Sequence, residues 1–102
     1  KFYDSSADGY LRSEAVGCAL VEAASGASND TSTQGSLRGT CVNQDGRSAG
    51  LTAPNGPSQQ VVVRGAWQQA AVNPAEVSTI ECHGTGTALG DPIEVNALEA
   101  VF

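Results

Sequence analysis

Apolar and polar positions fall into two kinds of pattern along this chain. Behind the polar segment Asp8-Gly9-Tyr10-Leu11-Arg12 runs a short, nearly continuous apolar stretch from Ala15 to Val21. Its length and its polar flanks predict a strand buried on both faces. From Ala23 to Ser36 no large apolar side chain occurs, only Ala, Ser, Gly, Asn, Asp, Thr and Gln. A stretch of that kind cannot build a core, and it predicts a flexible surface loop. Leu37 to Val42 predicts a second strand. Two turn-rich runs follow, Asn43-Gln44-Asp45-Gly46-Arg47-Ser48 and Leu51-Thr52-Ala53-Pro54-Asn55-Gly56-Pro57. They form a long loop without the monotony of a linker, and such loops often carry sites.

From Ser58 to about Val72 the period becomes helical. Val62, Ala66 and Ala70 share one face with Val63 and Trp67 beside it, and Gln59, Gln60, Arg64 and Gln68 fill the rest. That spacing makes Trp67 a packing residue. Asn73-Pro74 predicts a short capped turn, and Val77 to Cys82 a third strand with His83 at its end. A last helix is expected from Asp91-Pro92, with Asp91 as N-cap, Pro92 at the first helical position and Glu94 completing an acidic capping box. Ile93, Ala97, Leu98 and Val101 line one side of it. Strands alternating with helices predict an α/β layered fold, and no internal repeat is visible.

Composition narrows the picture. The chain has 102 residues, 12 of them glycine, and charged residues make up 16%, against about 25% in ordinary soluble domains. A small free-standing domain needs proportionally more charged surface, so the composition fits a slice of a larger domain. An opening Lys1 and a Phe102 that stops inside a helical pattern without a C-cap signal are read the same way. A net charge of −6 with no Lys/Arg cluster argues against nucleic acid as a partner. No apolar run approaches the roughly 20 residues of a membrane span, and no signal-peptide pattern is present. Cys18, Cys41 and Cys82 are odd in number and form no CxxC pair, so no metal or redox site is expected. Each is expected as a reduced, partly buried small side chain, which fits a cytoplasmic location.

Candidate chemistry concentrates in Glu81-Cys82-His83-Gly84-Thr85-Gly86-Thr87-Ala88-Leu89-Gly90-Asp91-Pro92-Ile93-Glu94, which holds the single histidine. His83 falls where a strand ends, the place where open α/β sheets put their ligands. Gly84, Gly86 and Gly90 allow sharp turns and close approach to a bound group, and Thr85 and Thr87 offer hydroxyls and amides. Three readings stand at this point. His83 is a satisfied histidine in a tight turn; the glycines cradle a dinucleotide phosphate; or His83 donates a hydrogen bond to a developing oxyanion.

The run Asn43 to Pro57, followed by His83-Gly84-Thr85-Gly86-Thr87-Ala88-Leu89-Gly90-Asp91-Pro92-Ile93-Glu94, resembles the ketosynthase (β-ketoacyl synthase) domain of type I modular polyketide synthases. Asp8-Gly9-Tyr10-Leu11-Arg12 is similar to a segment ending the first half of that family's fold. The resemblance runs over nearly the whole chain and is weakest from Ala23 to Ser36. It implies a thiolase-like α/β fold with α-β-α-β-α layers, normally dimeric. This chain would be a partial domain, with 1–22 ending the N-terminal half and 37–102 opening the C-terminal half.

The implied activity is decarboxylative condensation of acyl thioesters in polyketide or fatty acid biosynthesis. The partner would be an acyl carrier protein bearing a phosphopantetheine arm, with no directly bound cofactor. By the same resemblance His83 is one of two catalytic histidines, and Thr52, Thr85 and Thr87 meet the phosphopantetheine arm. Asp91 and Glu94 take a supporting role. The family's nucleophilic cysteine is matched by none of Cys18, Cys41 and Cys82, and its second histidine would lie beyond Phe102. Arg12-Ser13-Glu14-Ala15 stands where the family often has Arg-Gly-Glu-Gly. A non-catalytic ketosynthase-like scaffold is the alternative of the same fold.

Overall fold

The computed structural model describes residues 1–23, 34–48, 50 and 53–102. Two helices dominate it, α1 (Gly56–Ala70) and α2 (Gly90–Glu99), with a single 3₁₀ turn over Pro74–Glu76 between them. Helix α1 starts two residues before the predicted Ser58, because Asn55 caps it. The Asn55 carboxamide oxygen accepts from the Ser58 N–H at 3.2 Å, and a proline sits in the first turn where no amide partner is lost. The helix ends at Ala71, whose backbone is left-handed (φ 51°) and whose N–H bonds the Trp67 carbonyl. The turn at Pro74 forms as predicted: the Asn73 side chain accepts from the Ala75 amide, and Glu76 reaches back to the Asn73 N–H at 3.1 Å.

The two helices lie side by side and run in the same direction. Gly56 at the start of α1 faces Ile93 near the start of α2. Trp67 near the end of α1 meets the Phe102 ring edge-on, with 4.4 Å between centroids. Arg64 joins them by donating to the Ala100 carbonyl at 2.8 Å, which satisfies a group the end of a helix leaves open. The apolar faces predicted for both helices are the ones turned inward, and Ala97 is 3% exposed.

None of the three predicted strands forms among the described residues. A strand exists only as a member of a ladder, and no backbone hydrogen bond joins any two of these segments. The stretch from Ala15 to Val21, expected to be buried on both faces, is exposed, with Val16 at 97% and Leu20 at 91%. Cys18 and Cys41 are also exposed, contrary to the buried reading; Cys82 is half-buried. Residues 38–43 instead lie extended along α1, running against its direction. Thr40 gives its N–H to the Gln69 side chain at 2.5 Å, Arg38 reaches the Ala70 carbonyl, and Asn43 reaches the Ser58 carbonyl at 2.7 Å. Gly39 permits this closeness: a Cβ there would run into the Ala66 carbonyl and lie 2.8 Å from the Ala70 nitrogen. The Cα radius of gyration, 16.6 Å, exceeds the ~13 Å of a compact domain of about 100 residues. These residues do not close a core by themselves. Most of the loop expected from Ala23 to Ser36 lies outside the described residues.

Asn55 does two jobs, and its replacement tests both. Besides capping α1 it donates its amide to the Asp45 carbonyl at 2.6 Å, tying the 43–48 loop to the helix start, and Ser58 adds a longer bond to the same carbonyl. Asn55→Ala is expected to destabilise the complete domain by about 1–2 kcal/mol, read as a lower denaturant midpoint. Asn55→Asp keeps the cap acceptor and loses the donor, so its midpoint should fall between the two.

Candidate functional site

The 83–90 loop is built around two carboxylates contributed by the helix that follows it. Glu94 accepts from the backbone N–H of His83 at 2.6 Å and of Gly84 at 2.9 Å. Asp91, 4% exposed, accepts from the Gly86 N–H at 3.0 Å. The capping box predicted for α2 is therefore not formed. The helix starts at Gly90, with Leu89 in the N-cap position and no side-chain cap bond. The two carboxylates turn to the preceding loop, where donors from His83 to Gly86 compete successfully for them. Thr87 meets the exposed helix end in their place, its Oγ1 accepting from the Gly90 N–H at 3.0 Å. Thr85 and Thr87 share a hydroxyl–hydroxyl bond of 3.1 Å.

Two glycines hold left-handed backbone in this loop, Gly84 (φ 51°) and Gly86 (φ 70°), as the sequence pattern requires. Gly86 does approach something closely, but it is another stretch of chain: its carbonyl accepts from the Gly9 N–H at 2.8 Å. The amides of His83, Gly84, Gly86 and Gly90 are all taken by side chains of this same segment. A phosphate cradle needs such amides free and no anion beside them, so the dinucleotide reading has no support in this geometry.

A residue that no sequence motif singles out completes the arrangement. Tyr3 donates its N–H to Asp91 at 2.6 Å and its hydroxyl to Glu94 at 3.0 Å, across sequence separations of 88 and 91 residues. Its backbone is left-handed (φ 57°), unusual for a residue with a side chain, and its ring lies 3.4 Å from where a Gly84 Cβ would be. No local pattern marks such a residue, because its partners are set only by the tertiary path of the chain.

Titration reflects these bonds. The Tyr3 N–H, followed by the amides of Gly86 and Thr87 and the Thr85 hydroxyl, holds the Asp91 carboxyl below its ordinary range, against the opposing pull of burial. Burial raises Glu94, but the amides of Gly84 and His83 with the Tyr3 hydroxyl outweigh it and leave this carboxyl lowered as well. The neighbouring Cys82 thiol, desolvation and Glu94 push the Tyr3 hydroxyl well up. Groups whose values are lowered on folding stabilise the fold fully above their unfolded range, about pH 4–5, and lose that contribution as pH falls through the lowered values. Amide protection at Gly84 and Gly86 should therefore collapse through the acid carboxylate range. In a variant with Asp91→Asn and Glu94→Gln that acid dependence should vanish. Protection independent of pH across this range in the unmutated protein would contradict the assignment.

His83, Thr85, Thr87 and Glu94 open onto one cleft of about 400 Å³, walled on the far side by Asp45, Ala53 and Pro54. The His83 side chain is exposed, and among the described residues no hydrogen-bond partner takes either ring nitrogen. Four of the predicted site residues are thus brought to one place. Asp91 is buried and does not line the cleft, and Thr52 lies outside the described residues. No helix among the described residues is long and apolar enough to cross a membrane.

A family profile described as the C-terminal domain of β-ketoacyl synthase matches residues 34–102. A pikromycin polyketide synthase component from Streptomyces venezuelae is 52% identical over the full chain, which spans 3% of that protein. A highly reducing polyketide synthase from Neurospora crassa is 48% identical over 98% of the chain, which spans 4% of it. Among solved structures, an oxazolomycin ketosynthase domain from Streptomyces albus matches with a TM-score of 0.62 and 39% identity, over 65% of this chain and 18% of its own. The module 6 ketosynthase of the bacillaene synthase from Bacillus subtilis matches with a TM-score of 0.62 and 44% identity, over 65% of this chain and 12% of its own. These neighbours carry the thiolase-like α/β fold, of which the present helices and loops are a part. The chain, covering only a few per cent of its curated relatives, belongs to the β-ketoacyl synthase family as found in type I polyketide synthases.

Proposed function

We propose that these residues supply part of the active site of a decarboxylating β-ketoacyl synthase, an acyltransferase of the 3-oxoacyl synthase type serving polyketide or fatty acid assembly. In that reaction a cysteine thiolate from outside these residues holds the growing acyl group as a thioester. Malonyl carried on the phosphopantetheine arm of an acyl carrier protein loses carbon dioxide, and the electron pair released forms the enolate of an acetyl thioester. The enolate carbon attacks the enzyme-bound acyl carbonyl and expels the cysteine thiolate, leaving a β-ketoacyl group on the carrier. In the decarboxylation, negative charge grows on the thioester oxygen of the carrier-bound unit, and the His83 imidazole donates its N–H there. Thr85 and Thr87 give the wall of the cleft hydroxyls for the amides of the arm, and the family resemblance assigns Thr52 to the same arm.

The observation that carries this reading is how His83 is held. Its main-chain N–H is fixed by Glu94, while the residue lines an open cleft and both ring nitrogens are unclaimed among the described residues. An imidazole that served only a tight turn would spend its ring on the turn. Preorganised backbone with a free donor is what oxyanion stabilisation requires. The division of the chain into 1–22, ending one half of the fold, and 37–102, opening the other, belongs to the same proposal. So do a homodimeric domain and a cytoplasmic location, which three unpaired cysteines suit. These residues by themselves should be inactive, since no cysteine matching the nucleophile is among them. The test is His83→Ala in the complete synthase domain, with condensation and malonyl decarboxylation measured separately. Wild-type rates in both would remove the assignment.

A further inference from the structure

We propose that Tyr3 is a positioning residue for His83, acting through Glu94; the functional part of this rests on the oxyanion role assigned to His83 above. Glu94 has two carboxylate oxygens, and the loop needs both. Oε1 takes the His83 N–H at 2.6 Å, and Oε2 takes the Gly84 N–H at 2.9 Å. These two bonds fix the carboxylate plane relative to the loop, but both donors belong to the loop being held, so carboxylate and loop can still move together. The Tyr3 hydroxyl, donating to Oε2 at 3.0 Å, is a bond to that carboxylate from outside the loop, and it anchors the two together. Tyr3 is itself held: its N–H is bound by the buried Asp91, and its ring packs edge-on against Phe2 at 6.0 Å. The left-handed backbone at this non-glycine residue (φ 57°) carries a strain that surrounding contacts have to sustain. The bonds from Tyr3 to both carboxylates are such contacts. One residue, reached by a chain path of about ninety positions, thereby locks both acids that carry the histidine loop.

Tyr3→Phe tests this, because it removes the hydroxyl and keeps the ring, the main-chain bond to Asp91 and the backbone. In the complete synthase domain, malonyl decarboxylation is expected to fall roughly tenfold in kcat with KM for the malonyl carrier unchanged. Self-acylation of the nucleophilic cysteine, which does not use the decarboxylation oxyanion, should stay at the wild-type rate. Combining Tyr3→Phe with Glu94→Gln should cost little more than Glu94→Gln alone, as expected of two groups acting as one unit. Equal losses in acylation and decarboxylation, or additive effects in the double variant, would overturn the proposal. Amide exchange separates it from the catalytic reading. Faster exchange at His83 and Gly84 in Tyr3→Phe supports positioning even where His83→Ala leaves the rate unchanged and the oxyanion role falls, and unchanged exchange at both overturns it. A silent Tyr3→Phe beside a crippled His83→Ala overturns it as well.

Discussion

Alanine at position 83 is expected to slow malonyl decarboxylation in the complete synthase domain by about 10²- to 10³-fold, corresponding to roughly 3–4 kcal/mol for one lost oxyanion donor. The loss should appear equally in kcat and kcat/KM, because the bond is made to charge that exists only as the carboxylate leaves. Self-acylation of the enzyme's cysteine should change little. Stability should also hold. The ring is exposed and makes no hydrogen bond to the described residues, while the loop is held through the His83 main-chain N–H, which alanine retains. His83→Gln, which keeps an N–H donor on a side chain of similar reach, should recover part of the rate. If alanine lowered the thermal midpoint and both half-reactions together, His83 would be a structural residue of the turn. The oxyanion role would then fall.

The helices are legible in the sequence because their signals are local. The periodic apolar face from Val62 to Ala70 marks α1 to within two residues at each end, and Asn73-Pro74 marks the turn; the cap at Asn55 lies in the stretch read as loop. Leu37 to Val42 and Val77 to Cys82 carry strand-like composition, but a ladder depends on a neighbour that no local pattern specifies. In these residues the first lies along α1 instead of in a sheet. Of the candidate site, the grouping of its residues is legible and their wiring less so. His83, Thr85, Thr87 and Glu94 do share a cleft. Yet Asp91 and Glu94, whose spacing suits a capping box, turn away from their own helix to the loop before it. Spacing alone gives two acceptors near a helix start; it cannot say which amides reach them first. Tyr3 is invisible for the stronger reason that its partners lie at the other end of the chain.

Gly86→Ala is expected to be the most damaging single change in the loop that leaves every polar group in place. Two costs combine. The backbone there is left-handed (φ 70°), which charges a side chain about 1–2 kcal/mol. A Cβ would also lie 2.9 Å from the Gly9 carbonyl oxygen, a main-chain atom that cannot swing aside as a flexible side chain would. Moving it breaks the 2.8 Å bond from the Gly9 N–H to the Gly86 carbonyl and drags the N-terminal segment, Tyr3 included, away from Asp91 and Glu94. Gly46 isolates the first cost, since it is also left-handed (φ 63°) and a Cβ added there would meet nothing within 4 Å. Gly46→Ala should lower stability by about 1–2 kcal/mol, and Gly86→Ala by about 3–4 kcal/mol once overpacking is added. The larger variant should also lose decarboxylation on the order of 10²-fold, the usual consequence of shifting a donor by about an ångström, under conditions where the domain stays folded. Equal denaturant midpoints for the two variants would mean that the contact with Gly9 yields freely. The loop that presents His83 would then not depend on the first residues of the chain.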